Sequence, residues 1–222
     1  MESAVPQHLK IRKTPIQARS GATVEAINEA TIQVLLADGL TRLTTTRVAH
    51  RAGVSVGTLY QYFPNKQALL FAILQAHFEE MAAAIECIDL QNGKVPLSEL
   101  ADSIADAYVS VKESNPDATR ALYRVAGAID QARLSPDIFS RLEAATVRLL
   151  KNASDASFSD PIRTAFTLLA ALSGLSRASF ARLEAGFEVL ERLREESRIF
   201  ARAYLLAAQN ATPSHQGIGF KE

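Results

Sequence analysis

Two short amphipathic segments joined through a glycine occupy the stretch TTTRVAHRAGVSVGTLYQYFP, which begins at Thr44. Thr44 or Thr45 is suited to cap the first segment and Ser55 the second, because a side-chain oxygen at a helix start accepts a hydrogen bond from a free backbone N–H. Gly53 suits a left-handed turn between them, and Pro64 stops the second segment. Two short helices joined in this way predict a helix-turn-helix.

The second helix of this motif has an outward face without acidic side chains. Leu59 and Phe63 lie four residues apart and are predicted to face inward. The positions then left outward are Val56, Gly57, Thr58, Gln61 and Tyr62, with Tyr60 at the margin. Threonine and glutamine can hydrogen-bond base edges, the methyl groups of valine and threonine can contact thymine, and glycine lets a duplex approach the backbone. This face is predicted to contact DNA, and the alternative is a polar turn between two packed helices.

Positively charged and hydroxyl groups near the motif indicate where phosphates would bind. Thr45 and Thr46 lie at the start of the first motif helix, where free N–H groups and the helix dipole favour an anion. Arg47 projects from the same helix, and Lys66 has the equivalent place on the next one. Residues 1–70 hold eight Lys/Arg against four acidic residues, and the remainder holds 16 against 20. Only the first third of the chain is therefore expected to meet a polyanion.

Helical periodicity continues over nearly the whole chain and predicts an all-α fold. The first helix is expected over residues 21–38 with Gly39 as its stop, and a fourth is expected to follow Asn65. Later helices are predicted over residues 98–113, 161–184 and 187–209. Further helix starts pair a capping residue with proline, at Asn115-Pro116, Ser135-Pro136 and Asp160-Pro161.

The segment TTTRVAHRAGVSVGTLYQYFPNKQALLFAIL resembles the DNA-binding region of the tetracycline-repressor (TetR) family of bacterial transcriptional regulators. The resemblance covers roughly residues 20–75 and rests on G-V-S-x-G-T-L-Y-x-Y-F followed by N-K-x-x-L-L. The arm RKTPIQARSGAT also looks like the lead-in of many members. The resemblance implies a homodimeric repressor that binds palindromic operator DNA and is released by a small molecule.

Roles for individual residues follow from this resemblance. The implied phosphate contacts are Thr45, Tyr60, Tyr62 and Lys66. The implied candidates for base contact or close approach are Thr46, Arg47, Val56, Gly57, Thr58 and Gln61. Val56 and Gly57 depart from the family pattern because they offer no polar group to a base, so base reading is expected to depend on Arg47, Thr58, Gln61 and DNA shape.

The chain is also expected to divide into an arm, two helical domains and a tail, and the resemblance implies the role of the larger domain. A flexible basic arm at 1–19 with Lys10, Arg12, Lys13 and Arg19 is expected to track the DNA backbone or enter a minor groove. A helix-turn-helix DNA-binding domain at 20–66 and a helical effector-binding and dimerisation domain at 67–209 are expected to follow, with a disordered tail at 210–222.

An effector pocket and a dimer surface are predicted within the larger unit. The pocket is expected to take a hydrophobic or aromatic effector, with core packing as the alternative for each lining residue: Phe78, Met81, Tyr108, Tyr123, Phe139, Phe166, Ser173 and Arg177. The last two long helices are expected to pair with those of a second copy through Ile162, Leu169, Leu172, Phe180, Leu190, Leu193, Phe200 and Tyr204. The charged residues of the last helix are expected to form pairs within that helix, such as Glu188–Arg192, or to lie on a solvated flank.

Several kinds of chemistry are not indicated by the sequence. Cys87 is the single cysteine, so no disulfide framework is expected, and the four histidines have no metal-ligand spacing. No cofactor, phosphate loop or nucleophile elbow is predicted, and an enzyme is not expected. No 18-residue apolar span or signal peptide is expected either, which favours a cytoplasmic protein without a membrane partner. The alternative function is a DNA-binding regulator controlled by a protein partner or acting without a small-molecule ligand.

Overall fold

The computed structural model describes residues 18–89, 93–125, 136–182 and 187–209. Within these ranges the chain forms nine helices, and an isolated parallel bridge joins Val95 to Ala153. In chain order the helices are α1 (Ala18–Arg42), α2 (Thr45–Arg51), α3 (Val56–Tyr62), α4 (Lys66–Glu86), α5 (Leu97–Ser114), α6 (Pro116–Val125), α7 (Pro136–Lys151), α8 (Pro161–Arg182) and α9 (Phe187–Ala208). The all-α prediction is confirmed, whereas most of the predicted arm, the tail and Ser135 lie outside the described residues.

Side-chain caps begin five of these helices at the positions that the sequence predicts. In each case a side-chain oxygen accepts a hydrogen bond from the backbone N–H three residues later, which satisfies a donor that the helix itself leaves free. The capping residues are Thr44 (3.3 Å), Ser55 (2.9 Å), Asn65 (2.8 Å), Asn115 (2.9 Å) and Asp160 (3.0 Å). The start of α5 is different, because the Leu97 N–H donates to Asp155 Oδ1 at 2.8 Å from a distant loop.

Gly39 interrupts α1 where the sequence predicts its end. Its backbone has φ 74° and ψ 175°, which is not helical, and residues 40–42 form the last turn before Leu43 enters the core. This region of backbone space is accessible almost only to glycine, because a Cβ would clash with the adjacent carbonyl group. Gly39 therefore sets the direction in which the chain leaves α1 and reaches α2.

Two hydrophobic clusters form the core, and α4 contributes to both. The first cluster packs α1, α2 and α3 against the first half of α4, and it includes Ala118, Ala121 and Leu122 of α6. The second packs the later half of α4 against α5, α7, α8 and α9. Phe78 contacts both clusters. The N-terminal unit, which contains α1 to α3, and the larger unit are consequently joined by one continuous helix.

The apolar composition of α4 departs from the sequence analysis. Its most apolar window has a mean hydropathy of 1.4, so the helix is long and apolar enough to span a membrane by length and composition alone. The expectation that the chain has no 18-residue apolar span is therefore wrong. In the structure 56% of that window is buried inside the protein, and packing against two clusters accounts for its apolar character.

Arginines of α9 form ion pairs with acidic side chains of α5. Arg194 and Arg198 both donate to Asp106 Oδ1, at 2.9 and 2.7 Å. Arg194 also contacts Glu113, and Arg202 contacts Asp102. Burial raises the pKa of Asp106, but hydrogen bonds from Arg198 and Arg194 outweigh it, so the pKa is lowered overall. The prediction of pairs within α9 or a solvated flank is wrong for these three arginines, because their partners are 81 to 100 residues away in sequence.

Replacement of Gly39 by alanine tests its role in α1. We expect Gly39→Ala to lower the free energy of unfolding by about 1–3 kcal/mol, because alanine is strained at this positive φ. Gly21→Ala is the matched control: it lies in the same helix without a positive φ, and a Cβ there meets nothing within 4 Å. Chemical denaturation followed by circular dichroism measures both changes, and equal stability of the two variants would contradict the assignment.

Candidate nucleic-acid interface and internal cavity

Burial of two side chains fixes α3 against the rest of the N-terminal unit. Leu59 and Phe63 are fully buried, together with Val48 and Ala49 of α2. Gly53 has φ 67°, and the turn is closed by a hydrogen bond of 3.0 Å from the Val54 N–H to the Ala49 carbonyl. These contacts hold the two helices of the predicted helix-turn-helix in one arrangement.

The outward face of α3 carries five of the ten predicted DNA contacts. Val56 and Tyr60 are 37% and 41% exposed, and Gly57 and Gln61 are also exposed. A Cβ at Gly57 would meet only Ser55 Oγ, at 3.7 Å, so the surface is open there. Thr58 is half-buried, and its hydroxyl lies 2.8 Å from Ser55 Oγ. The face offers hydroxyl, amide and methyl groups and no acidic side chain.

Tyr62 does not belong to this face. The sequence analysis placed it outward, but it is only 6% exposed and forms part of the first cluster. Helical geometry explains the error, because Tyr62 follows Leu59 by three residues and therefore shares its inward side. Tyr60, predicted at the margin, is the outward tyrosine of α3. The burial of Tyr62 therefore contradicts the phosphate contact that the resemblance implies for this residue.

Hydrogen bonds link the start of α2 to α3. Thr45 Oγ1 lies 3.1 Å from the Tyr60 hydroxyl, so two of the predicted phosphate contacts are adjacent. Thr46 is exposed at the next position. An anion bound at the start of α2 would therefore have hydroxyl groups from both helices within reach.

Two cationic side chains of the interface are held by α1. Arg47 donates from Nη1 to Asp38 Oδ2 at 2.8 Å, and its side chain remains 50% exposed. Lys66 Nζ donates to the Leu40 carbonyl at 2.7 Å, in the turn after Gly39. Sequence analysis did not find Asp38, because a single acid nine residues before Arg47 carries no recognisable signal.

An internal cavity of about 370 Å³ lies between α4, α5, α7 and α8. We call it the wide lobe. Its lining is Phe78, Met81, Tyr108, Phe139, Ser140, Leu142, Glu143, Phe166, Leu169, Ala170 and Ser173. Phe139 and Phe166 are partly exposed and mark its opening to the surface. The wall is mainly apolar, as in small-molecule sites.

A narrow lobe of about 30 Å³ adjoins the wide lobe and shares four of its wall residues. Its lining is Leu74, His77, Phe78, Met81, Tyr108, Leu122, Tyr123, Ser173 and Arg177. All eight residues predicted for an effector pocket thus line one lobe or both. The sequence analysis missed the lining residues of α7 after Phe139, since nothing in their spacing separates cavity from core.

The narrow lobe is the more polar part of the cavity. Burial raises the pKa of Tyr108 to about 12, and it also raises the pKa of Tyr123. Both tyrosines line this lobe together with Ser173. Burial and the charge of Lys112 lower the pKa of His77 to about 3, so its imidazole is neutral. A ligand in this lobe would therefore meet neutral hydroxyl and imidazole groups beside the guanidinium of Arg177.

Apolar side chains on α8 and α9 face solvent. Some of the residues predicted for a dimer surface are among them, and others are buried within the chain. Ile162 and Phe200 are exposed, as are Ile199 and Leu206, and Leu169, Phe180 and Tyr204 are half-buried. Leu172, Leu190 and Leu193 are buried within the chain at 0%, 9% and 1% exposure. Their prediction as dimer contacts is wrong, because other parts of the same chain already cover these three side chains.

Metal chemistry gains no support from the described part of the chain, where no three His, Cys, Asp or Glu side chains are grouped as a metal site. Cys87 is exposed just after α4.

Two family models match the chain. Residues 27–73 match the bacterial regulatory proteins of the tetR family, and residues 96–205 match the tetracyclin repressor-like C-terminal domain. The protein belongs to the TetR family of transcriptional regulators. The first match covers the helix-turn-helix, and the second covers α5 to α8 in full and α9 as far as Leu205.

Individual relatives agree with this assignment. The chain is 30% identical over 116 residues to the nucleoid occlusion factor SlmA of Haemophilus influenzae, covering 51% of this chain and 52% of that protein. It is 32% identical over 124 residues to the HTH-type transcriptional repressor KstR of Mycolicibacterium smegmatis, covering 52% and 60%. The chain thus spans between about half and two thirds of the length of these curated relatives.

A solved structure of a tetR-family regulatory protein from Rhodococcus RHA1 has the same fold. It superposes with a TM-score of 0.64 at 20% identity, over 82% of this chain and 96% of that one. The likeness confirms the predicted arrangement of an N-terminal helix-turn-helix followed by a larger helical domain.

Replacement of Asp38 tests how Arg47 is positioned. We expect Asp38→Asn to reduce the ratio of affinities for a selected operator and a random duplex by about tenfold, since a freed guanidinium reads a base less selectively. Fluorescence anisotropy with labelled duplexes measures this ratio. Glu29→Gln, the same change of charge elsewhere on α1, is the control. An unchanged ratio in Asp38→Asn would contradict a positioning role.

Proposed function

We propose that this TetR-family protein is a repressor that binds palindromic operator DNA as a homodimer and leaves it on binding a small hydrophobic or aromatic effector. The observation that carries the DNA-binding part is the outward face of α3, which is held by fully buried Leu59 and Phe63 and has no acidic side chain. A rigid helix of this kind fits the major groove, and its polar groups can hydrogen-bond base edges.

The groups around α3 support separate roles in phosphate binding and in base reading. Thr45 and Tyr60 form one hydroxyl pair, and Thr46 and Lys66 lie at the starts of α2 and α4. We assign these four to phosphates, which position the protein without reading sequence. We assign base reading to Arg47, Thr58 and Gln61, with Val56 and Gly57 providing close approach.

Symmetry supports the homodimer. One α3 reads only a few base pairs, whereas two copies about 34–36 Å apart match successive major-groove faces of a palindrome. The exposed Ile162, Ile199, Phe200 and Leu206 give α8 and α9 an apolar outer side. Packing of this side against a second copy would remove that surface from water.

The cavity supports the response to a small molecule. Its volume of about 370 Å³ is in the range of small-molecule sites, and its lining is mainly apolar. Leu122 and Tyr123 of α6 line the narrow lobe, and Leu122 also packs in the first cluster beside α1. A ligand that displaces α6 would shift the DNA-binding unit and favour one spacing of the two α3 helices over the other.

A second candidate is a DNA-binding protein that takes no small ligand. The similarity to SlmA favours it, because that relative is named as a nucleoid occlusion factor. The mainly apolar cavity favours the first candidate, because a regulator without a ligand has no need of an unfilled cavity between its helices.

Selection of duplexes from a random library, followed by substitution, tests the proposed function. The selected sequences are expected to be inverted repeats. Thr58→Ala and Gln61→Ala should loosen the base preference at positions within each half-site. Lys66→Ala should weaken binding to all sequences and reduce the slope of log affinity against log salt by about one.

Lys151 is exposed on the larger unit, and Lys151→Ala is the matched control. It should leave both the affinity for DNA and the salt slope unchanged. Because Lys66 also contacts the Leu40 carbonyl, the melting temperature of each variant must be recorded. Selected sequences without symmetry, or a salt slope that Lys66→Ala does not alter, would contradict the assignment.

A further inference from the structure

Lys112 is a buried cation in the larger unit. Its side chain is fully buried near the end of α5, and Nζ donates to the Tyr108 carbonyl at 3.1 Å. The same Nζ lies 3.5 Å from the centre of the Tyr108 ring. In the described part of the chain its partners are thus a carbonyl oxygen and a ring face, and neither carries a full negative charge. Burial lowers the pKa of Lys112 to about 7.

Three of the four acidic side chains on the same helix are engaged elsewhere, and the fourth, Glu99, is exposed in its first turn. Asp102, Asp106 and Glu113 of α5 form the ion pairs with arginines of α9. Burying an ammonium group without an anion costs free energy, and a protein tolerates the cost where the charge has a use. The groups closest to the charge of Lys112 are those around Tyr108.

Lys112 lies behind the wall of the cavity. The Tyr108 ring that it contacts lines both lobes. His77, which lines the narrow lobe, has its pKa lowered by the charge of Lys112 as well as by burial. The narrow lobe is therefore within the field of this ammonium, and Arg177 contributes a second positive charge to its wall.

The two lobes differ in what they offer a ligand. The narrow lobe presents the hydroxyls of Tyr108, Tyr123 and Ser173 and the guanidinium of Arg177. The wide lobe is mainly apolar, and its acidic side chain, Glu143, does not line the narrow lobe. A ligand with an anionic end and an apolar body would match this distribution of charge in one orientation only.

We propose that the effector is an amphipathic carboxylic acid, whose carboxylate lies in the narrow lobe against Tyr108, Tyr123, Ser173 and Arg177 and whose apolar body fills the wide lobe. The proposal rests on the proposed function, because it concerns the same cavity. A carboxylate accepts several hydrogen bonds and supplies a counter-charge that Lys112 does not find among the described residues. A neutral ligand leaves that charge uncompensated, and an ammonium ligand is repelled by Lys112 and Arg177.

Two matched series of ligands test the chemical class of the head group. One is 4-phenylbutanoate, 4-phenylbutan-1-ol and 4-phenylbutylamine, and the other is decanoate, decan-1-ol and decylamine below their micelle concentrations. Binding to the full-length protein is measured by isothermal titration calorimetry at pH 7. We expect the acid of at least one series to bind about tenfold or more tightly than its alcohol, and the amine to bind weakest.

Variants identify the charge responsible for this preference. Lys112→Met is expected to fold, since it replaces a buried ammonium with an apolar chain of similar length. It should reduce the ratio of acid to alcohol affinity about tenfold while leaving the alcohol affinity unchanged. Lys151→Met removes a lysine from the exposed last turn of α7 and should leave the ratio as it is. Arg177→Gln gives a second variant with the same expected loss of acid preference, should Lys112→Met fail to fold.

The outcomes separate this inference from the proposed function, since anisotropy of labelled operator reports DNA binding independently. If acids and alcohols bind equally and release DNA, the anionic effector is refuted and the proposed function stands. If no member of either series binds, or if the acid preference survives both Lys112→Met and Arg177→Gln, the inference is also refuted. Acids that bind preferentially without releasing DNA would support the site and contradict the ligand response.

Discussion

The structure depends on α4 being buried in two hydrophobic clusters at once. Residues 68–74 pack with α1, α2 and α3, and Met81, Ala82 and Ile85 pack with the larger unit. A helix that is close-packed along both halves cannot bend without opening one of the clusters. The orientation of the helix-turn-helix is therefore tied to the walls of the cavity, where Phe78 and Met81 lie.

Polar groups divide the larger unit into a fixed part and an adaptable part. The arginines of α9 hold α5 through ion pairs, so that these two helices form a stable support. Behind the wall of the narrow lobe, Lys112 is instead buried without a counter-anion among the described residues. Buried polar groups whose partners are incomplete are costly, and a ligand that supplies those partners is stabilised in proportion.

The sequence predicts local features of this protein well and distant ones poorly. The caps at Thr44, Ser55 and Asn65 could be predicted because each depends on neighbouring residues. The eight cavity residues could be predicted because the family resemblance implies an effector pocket among the middle helices. The ion-pair partners of Arg198 and Arg47 could not be predicted, because the packing of separate helices brings the two members of each pair together. Leu172 and Leu193 were misplaced because periodicity identifies an apolar face without showing whether the same chain or a second copy covers it.

The central claim is that the contents of the cavity set the distance between two recognition units. Spin labels at Ala26, exposed on α1, in a Cys87→Ser background measure that distance by double electron–electron resonance. The account predicts one narrow distance in the operator complex and a shifted or broadened distribution when a cavity-filling carboxylate replaces the DNA. An identical distribution in both states, or no coupling between two labels in either, would contradict it.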